Sequence, residues 1–304
     1  LGDVNQDNTL TKVAVLASDN EIKYRDVSTI PNIAALSAET SLDMDDDNII
    51  IYDASEGANN KVTLEELFDD YLNTYRKHAY SYYNEFINGV GTATGGNDVV
   101  STSSGTGAAS TGTAAITATN IVGLVTTTTG TTATGRSAIS SYGSAITFGG
   151  GASSFEYRLD GISALSTVTE RYAILVGFFD TYSAANQVDG VYFLYDEGGV
   201  STGSAASANW QIVTASNSTR TFTTTSTAVA TTGQTLRIEI NAAGTSVEFF
   251  IDNVSVGTIT TNIPTGTARA TGFASMIIKS IGTTARVFNS DYMRVQVNYT
   301  TPKN

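Results

Sequence analysis

The sequence predicts a mainly β protein whose C-terminal half is an antiparallel β-sandwich. About ten short runs of alternating apolar and polar residues follow residue 155, each ending at a Gly, Asn, Asp or Ser turn. No helical period interrupts them, which is typical of two packed antiparallel sheets. A Thr-rich tract and one segment with helical spacing precede them. We therefore expect four regions: residues 1–62, 63–90, 91–150 and 151–304.

Residues 1–62 are predicted to form short strands joined by turns. Thr11–Leu16 and Glu21–Arg25 flank a Ser-Asp-Asn turn, and Asn48–Tyr52 is a further apolar run. Asp53–Asn60 is rich in turn formers and is expected to be a loop, after which the chain enters a helix. This region is too thin to hold a full core, so we expect it to need a second copy or a neighbouring protein for stability.

Residues 63–90 are predicted to form one α-helix. Thr63 and Glu66 make a capping box at its start, and Asn88 and Gly89 supply a stop. A narrow apolar seam follows alternating spacings of four and three, which favours an oligomerisation stem about as strongly as packing on the helix's own domain. The seam consists of Phe68, Leu72, Tyr75, Ala79, Tyr82 and Phe86.

Residues 91–135 are dominated by Thr, Gly, Ser and Ala. A flexible linker is one interpretation, but recurring β-branched residues favour ordered strands. Trp210, in a later run, is expected to be a core residue. The predicted strands are Phe155–Leu159, Tyr172–Phe179, Val191–Tyr195, Trp210–Thr214, Thr219–Thr223, Leu236–Ile240, Val247–Ile251, Val254–Ile259, Ala274–Ile278 and Phe288–Val297.

The net charge of −13 lies mostly in the N-terminal part of the chain. Residues 1–88 hold 17 acidic and 6 basic residues, whereas residues 89–304 hold 12 and 10. Such acidity repels a phosphate backbone and no basic stripe offsets it, so nucleic-acid binding is not expected. The nearly neutral distal part would recognise its partner through hydrogen bonds and ring stacking, which fits neutral sugars.

Composition also argues against most metal and catalytic sites. The sequence has no cysteine, and His78 is its single histidine, so neither a thiolate metal site nor a zinc site built on several histidines is expected. Acidic turns at residues 3–7 and 43–47 imitate the start of a calcium loop but lack its glycine and its final acid. No run approaches the roughly 20 apolar residues of a membrane helix. No leader-like basic and apolar segment is visible, so we expect release within an assembled particle.

Two groups of segments carry a resemblance to known proteins. The first comprises Arg171-Tyr172 with Val176–Phe178, Asp189–Phe193, Asn209–Gln211 and Val247–Asp252; the second comprises Thr11–Leu16 with Glu21–Arg25, and Asn48–Asp53 with Lys61–Leu64. The first resembles the concanavalin-A-like (laminin-G, lectin and glucanase) jelly rolls of bacteriophage virion proteins. The second is similar to the N-terminal segments of phage tail-fibre proteins. The resemblance implies a homo-oligomeric, most often trimeric, virion fibre that docks on another virion protein and touches host surface glycan.

Jelly rolls of this kind carry calcium or glycan ligands at strand ends and loops. On that resemblance the candidate ligand-binding residues are Asp180, Tyr182, Asp189, Tyr195, Asp196 and Glu197. The two tyrosines would offer a stacking face for a sugar. The alternative is that these positions are only turns. No cofactor is expected, calcium being the single exception that these acids allow.

Catalysis is not expected. Retaining glucanases of this fold place acids at alternate positions of one strand, typically Glu-x-Asp-x-x-Glu, and no such run occurs here. Asp196 with Glu197, and Glu248 with Asp252, have the wrong spacing. The predicted function is structural attachment at the virion surface. A capsid or tail decoration protein is the alternative, and a polysaccharide depolymerase is the third possibility.

Overall fold

The protein divides into two compact units, residues 1–72 and 73–304. A computed structural model describes residues 77–87, 90, 99–105, 121–141 and 143–302 in full, and elsewhere the backbone of five short strands. Among the described residues no helix is long and apolar enough to cross a membrane.

The first unit contains two antiparallel pairs of strands. Strand β1 (Lys12–Leu16) pairs with β2 (Ile22–Asp26), and β3 (Asn48–Asp53) pairs with β4 (Ala58–Thr63). The three strands predicted from alternation in this region are therefore confirmed to within one residue at each end.

The predicted loop and helix start at the end of this unit are wrong. Asp53 closes β3, and β4 already begins at Ala58, so the expected loop is shorter than predicted. Lys61, Val62 and Thr63 belong to β4 and pair with the first residues of β3. A run that also fits a capping box is thus used as a strand, because a neighbouring strand supplies the backbone hydrogen bonds.

The second unit is built from fifteen strands among the residues described. They are β5 (Ala79–Asn84), β6 (Val99–Ser104), β7 (Gly112–Thr113), β8 (Val125–Thr128), β9 (Arg136–Ser141), β10 (Gly151–Ile162), β11 (Arg171–Phe179), β12 (Gly190–Asp196), β13 (Ser207–Ser216), β14 (Thr219–Ala228), β15 (Gln234–Ile240), β16 (Val247–Ile251), β17 (Val254–Ile259), β18 (Gly272–Ile281) and β19 (Val287–Tyr299). All ten strands predicted after residue 155 are confirmed.

These strands form two antiparallel sheets. The eight-stranded sheet has the order β17-β16-β15-β10-β19-β8-β7, with β5 also paired to β19. The seven-stranded sheet has the order β14-β13-β12-β11-β18-β9-β6. The predicted jelly-roll β-sandwich is therefore confirmed. It begins well before residue 151, because β5, β6, β8 and β9 all belong to its sheets.

The core between the sheets is rich in aromatic rings. Alternate side chains of each strand point inward, so Phe155 of β10 meets Phe178 of β11 with ring centres 5.6 Å apart. The Phe193 ring lies 5.3 Å from that of Phe249 in the opposite sheet. Trp210 is fully buried, as expected, and its indole N–H donates to Gln234 Oε1 at 3.0 Å.

The helix predicted over residues 63–90 is wrong beyond residue 78. Ala79 and Tyr82 lie in β5, which pairs with β19 so that Tyr82 stands opposite Val295. Phe86 follows β5, is fully buried and has a positive φ of 55°. These three side chains pack on the sandwich of their own chain and do not lie on one helical seam. Outside the described residues lie Phe68, Leu72 and Tyr75.

Adjacent phenylalanines on β16 allow a direct test of the sandwich. Phe249 is fully buried, whereas Phe250 points to the opposite, outer face of the sheet. Phe249→Ala should lower the free energy of unfolding by about 3–5 kcal/mol, since it leaves a cavity between the sheets. Phe250→Ala should cost less than half as much. Urea unfolding of both variants measures this; equal losses would contradict the assigned strand faces.

Candidate functional site

Asp189 is held inside the protein by an ion pair. Its Oδ1 accepts hydrogen bonds from the Asn217 amide at 2.9 Å and from Arg269 Nη1 at 3.0 Å. The carboxylate is almost fully buried, and the guanidinium of Arg269 is about a third exposed. Asp189 therefore fastens the β13–β14 turn and the 3-10 turn at Thr267–Arg269 to the start of β12.

Asp196 organises the loop that follows β12. It is fully buried, and its two oxygens accept hydrogen bonds from the Val200 amide at 2.7 Å and the Ser201 amide at 2.6 Å. The Ser204 hydroxyl donates to the same carboxylate at 2.9 Å. Hydrogen bonds to a charged acceptor are the stronger kind, so this carboxylate holds the loop in one conformation.

Tyr195 is not available as a stacking platform because it is fully buried. Its hydroxyl accepts from the Ser166 amide at 2.8 Å and donates to Glu197 Oε2 at 3.0 Å. Burial is the main reason why the pKa of Tyr195 is raised. The phenol therefore remains a neutral hydrogen-bond donor, and Glu197 serves as its acceptor.

Asp180 and Tyr182 also make internal contacts. Asp180 Oδ1 accepts from the Val188 amide at 3.2 Å, and the carbonyl of Tyr182 accepts from Arg136 Nη1 at 2.6 Å. The Tyr182 ring packs edge-on against Phe179. The six residues proposed from the resemblance thus brace loops around β12, which agrees with the turn alternative, and they do not converge on one open pocket.

A different surface has the shape of a binding site. It is the outer face of the eight-stranded sheet, where two shallow hollows of about 350 and 390 Å³ adjoin. Both are lined by Ser154 and Glu239, so we treat them as one feature, the sheet-face groove. Further lining residues are Glu156, Arg237, Glu248, Arg294, Gln296 and Asn298.

The strand registers place the outward side chains in straight rows across the sheet. One row, the aromatic-ended row, runs from β5 to β16 through Tyr83, Arg294, Glu156, Arg237 and Phe250. It has a ring at each end and alternating charges between them. Because directly opposite side chains in antiparallel strands are neighbours, the five groups form one continuous strip.

The neighbouring row, the glutamate row, is uncharged at one end and acidic at the other. It runs through Ser81, Gln296, Ser154, Glu239 and Glu248. Glu239 and Glu248 stand directly opposite each other on β15 and β16. Two like charges in this position cost stability, so their presence on the groove wall is a feature that folding alone does not favour.

Arg237 is the central group of the groove. Its guanidinium lies 3.9 Å from the centre of the Phe250 ring and forms an ion pair with Glu239. Its Nε is 4.0 Å from Glu156 Oε2. The stacking and the two carboxylates hold the planar guanidinium in one orientation on the sheet surface.

Two tyrosines lie at the β5 end of the aromatic-ended row. Tyr83 is 55% exposed, and its ring centre lies 6.0 Å from that of Tyr292, whose hydroxyl donates to Glu156 at 3.0 Å. A hydrogen bond to Glu85, followed by burial, raises the pKa of Tyr83 to about 12. Burial and Glu156 raise the pKa of Tyr292 to about 12. Both phenols are therefore protonated at neutral pH.

The groove offers the contacts that polyhydroxylated ligands use. Carboxylates, amides and a fixed guanidinium pair with hydroxyl groups, and an exposed ring packs on an apolar ligand face. Within the described part of the chain no cluster of three or more His, Cys, Asp or Glu side chains could hold a metal ion.

The groove residues were not identified from the sequence. Leu236–Ile240 and Val247–Ile251 were correctly predicted to be strands, and alternation places Arg237 with Glu239 on one face of the first strand and Glu248 with Phe250 on one face of the second. The missing information was the register, which puts Glu239 opposite Glu248, and the pairing of β5 with β19, which brings Tyr83 to the same surface.

The fold defines the chain as an antiparallel jelly-roll β-sandwich. A family model described as "SO2946-like, C-terminal domain" matches residues 120–291, more than half of the chain. The protein therefore belongs to the SO2946-like family through this domain. A search of curated proteins finds no match.

The chain is also similar to several solved structures. The protein of unknown function SO2946 from Shewanella oneidensis MR-1 aligns with a TM-score of 0.52 and 12% identity, over 80% of this chain and 97% of that one. The endo-1,3-β-glucanase of Streptomyces sioyaensis aligns with a TM-score of 0.47 and 13% identity, over 73% and 97%. Peanut lectin aligns with a TM-score of 0.43 and 10% identity, over 73% and 99%.

The role of Asp196 in holding the following loop can be tested by comparing its substitution with one at Glu197. Asp196→Ala should remove the acceptor of the Val200 and Ser201 amides and weaken local stability by about 2 kcal/mol. Their hydrogen exchange should become faster. Glu197→Ala is the control, because Glu197 does not bond these amides, and exchange there should be unchanged. Slow exchange in both variants would show that the loop does not depend on Asp196.

Proposed function

We propose that this protein is a non-enzymatic glycan-binding attachment protein of a phage particle, and that the sheet-face groove is its binding surface. The observation that carries the proposal is the aromatic-ended row beside the glutamate row. These rows combine the exposed Tyr83 ring with charged and amide groups on a rigid sheet. Groups fixed on strands lose little freedom on binding, which favours affinity for a flexible ligand.

Glycan fits the groove better than other ligand classes. The Tyr83 ring can pack against the apolar face of a sugar. Arg294 stands directly opposite it, and Gln296 and Ser154 in the glutamate row can also bond hydroxyl groups. Residues 89–304 are close to neutral overall, with 12 acidic and 10 basic residues. The surface therefore suits a neutral or weakly charged sugar more than a strongly anionic polymer.

The shape of the groove favours an extended chain of sugars over a single one. The aromatic-ended row crosses five neighbouring strands, and strands lie about 4.8 Å apart, so its two rings are roughly 19 Å apart. The two hollows lie between these rings and share Ser154 and Glu239. A polysaccharide on a host surface has the corresponding repeated, linear form.

The attachment role rests on the N-terminal unit and on composition. The two strand pairs of residues 12–63 lie in the segments that resemble tail-fibre N-termini, and this acidic unit would dock on another virion protein. The protein would then act at the surface of the virion as a homo-oligomer. The trimer expected from the helical seam now depends on Phe68, Leu72 and Tyr75 alone. A decoration protein without receptor binding is the alternative.

One observation favours a second function. Glu239 and Glu248 are directly opposed across two strands, and such side chains have Cβ atoms about 5 Å apart. Retaining glycosidases use two carboxyl groups about 5–5.5 Å apart. A polysaccharide depolymerase acting through this pair is therefore the enzymatic alternative to simple binding.

Binding and cleavage can be separated with groove variants. The wild-type protein should bind members of an array of bacterial surface oligosaccharides, and Tyr83→Ala should raise the Kd of each hit at least about tenfold, because the stacking ring is lost. Val168→Ala, at an exposed loop position away from the groove, is the control and should bind normally. Unchanged binding by Tyr83→Ala would contradict the proposed site.

The oligosaccharides that the wild-type protein binds on the array can also be used to test for hydrolysis. Incubated with wild-type protein, they should release no new reducing ends. Release that is lost in Glu248→Gln but retained in Val168→Ala would establish the depolymerase alternative and overturn the non-enzymatic assignment.

A further inference from the structure

Strand β14 ends the seven-stranded sheet with an open edge. It pairs with β13 on one side, and no described strand pairs with its other side. An open edge presents unpaired backbone N–H and C=O groups to any strand that approaches, and proteins usually block it with proline, charge or a bulge. The question is therefore what this edge is for.

The edge carries few of the usual blocking features. Its sequence from Thr219 to Ala228 has no proline, no acidic residue and a single charge, Arg220, and it is rich in threonine. The ladder with β13 is regular from Thr219 to Thr224 and becomes irregular only beyond that point. Residues 219–224 are thus a regularly paired segment with high strand propensity, and Arg220 is its single charged residue.

The turn before β14 fixes which backbone groups face outward. Asn217 and Ser218 both have positive φ, 52° and 66°, as in a two-residue type I′ hairpin, so Ser216 and Thr219 form a hydrogen-bonded pair. Hydrogen-bonded and non-hydrogen-bonded pairs then alternate along the ladder. The groups that point away from β13 consequently belong to Arg220, Phe222 and Thr224.

We propose that two copies of this chain associate by antiparallel pairing of β14 about a two-fold axis at Phe222. In this register Phe222 faces its own copy, and Arg220 faces Thr224 of the second copy. All three outward residues of each strand are then in hydrogen-bonded pairs, whereas any other antiparallel register leaves at least one of them out. Each pair exchanges two backbone hydrogen bonds.

The side chains suit this register. Phe222 packs on the apolar cluster of the outer sheet face and would meet the partner's Phe222, which makes an aromatic cross-strand pair. The two copies of Arg220 would be separated by four residues along the strand, about 14 Å, which exceeds the screening length in physiological salt. Arg220 is already engaged by the Asn186 side chain at 2.6 Å.

Charge also favours this side of the sandwich for self-association. The protein has a net charge of −13, so two copies repel each other at most orientations. Strand β17 ends the other sheet beside β14, and it carries no charged residue from Val254 to Ile259. The two edge strands therefore form a side of the sandwich on which neither strand carries an acidic residue.

Cysteine substitutions test the register directly, because the sequence contains no cysteine. Phe222→Cys should form an intermolecular disulfide on oxidation, since the proposed Cα separation of a directly opposed pair is about 5.5 Å. Thr224→Cys is the matched control on the same face of β14. Its two copies would be about 14 Å apart and should not crosslink. Crosslinking of both variants, or of Thr224→Cys alone, would overturn the register.

A proline substitution tests the association without changing the sheet. Thr224→Pro removes an outward N–H that β13 does not use, so the fold should persist while the native mass in light scattering falls by half. Thr224→Ala keeps the N–H and should retain the wild-type mass. If the Thr224→Pro variant has the same native mass as the wild-type protein, the proposal is overturned. This holds whether that mass corresponds to one chain or to three. Glycan binding lies on the other sheet and is measured separately.

Discussion

The whole sandwich depends on how its two sheets meet at one aromatic cluster. Phe193 of the seven-stranded sheet packs edge-on against Phe249 of the eight-stranded sheet, and Trp210 lies beside Phe193. A buried indole N–H must find an acceptor, and Gln234 at the start of β15 supplies it. The same glutamine accepts from the Ala230 amide, so one side chain ties the core, a loop and a strand together.

The positions of the side chains on the outer face of the eight-stranded sheet depend on that contact. Strand β15 is positioned by Gln234 at its first residue, and Arg237 and Glu239 follow on the opposite face of the same strand. Acidic side chains in this protein accordingly have two distinct uses. Asp189 and Asp196 have their oxygens filled by donors of the chain itself, whereas Glu248 stands at the surface and accepts a hydrogen bond from the Ser255 hydroxyl.

Alternation along single strands was enough to predict most of the architecture. It located every strand after residue 155 and the fold class, because inward and outward positions differ in polarity whatever the neighbours are. It failed around Ala79 and Phe86. Apolar residues spaced by three and four are compatible with a helix, but they are equally compatible with a strand followed by a buried turn. Which description holds depends on β19, more than 200 residues away. The groove was missed for the same reason, because register is a long-range property.

Strand β10 shows what this arrangement allows over evolutionary time. From Gly151 to Asp160 its buried and partly exposed residues alternate without exception, so half of the positions hold the sheets together and the other half face outward. Substitutions at Ser154, Glu156 or Arg158 leave the interior untouched. A lineage could therefore replace these outward residues one at a time, and each intermediate would still fold.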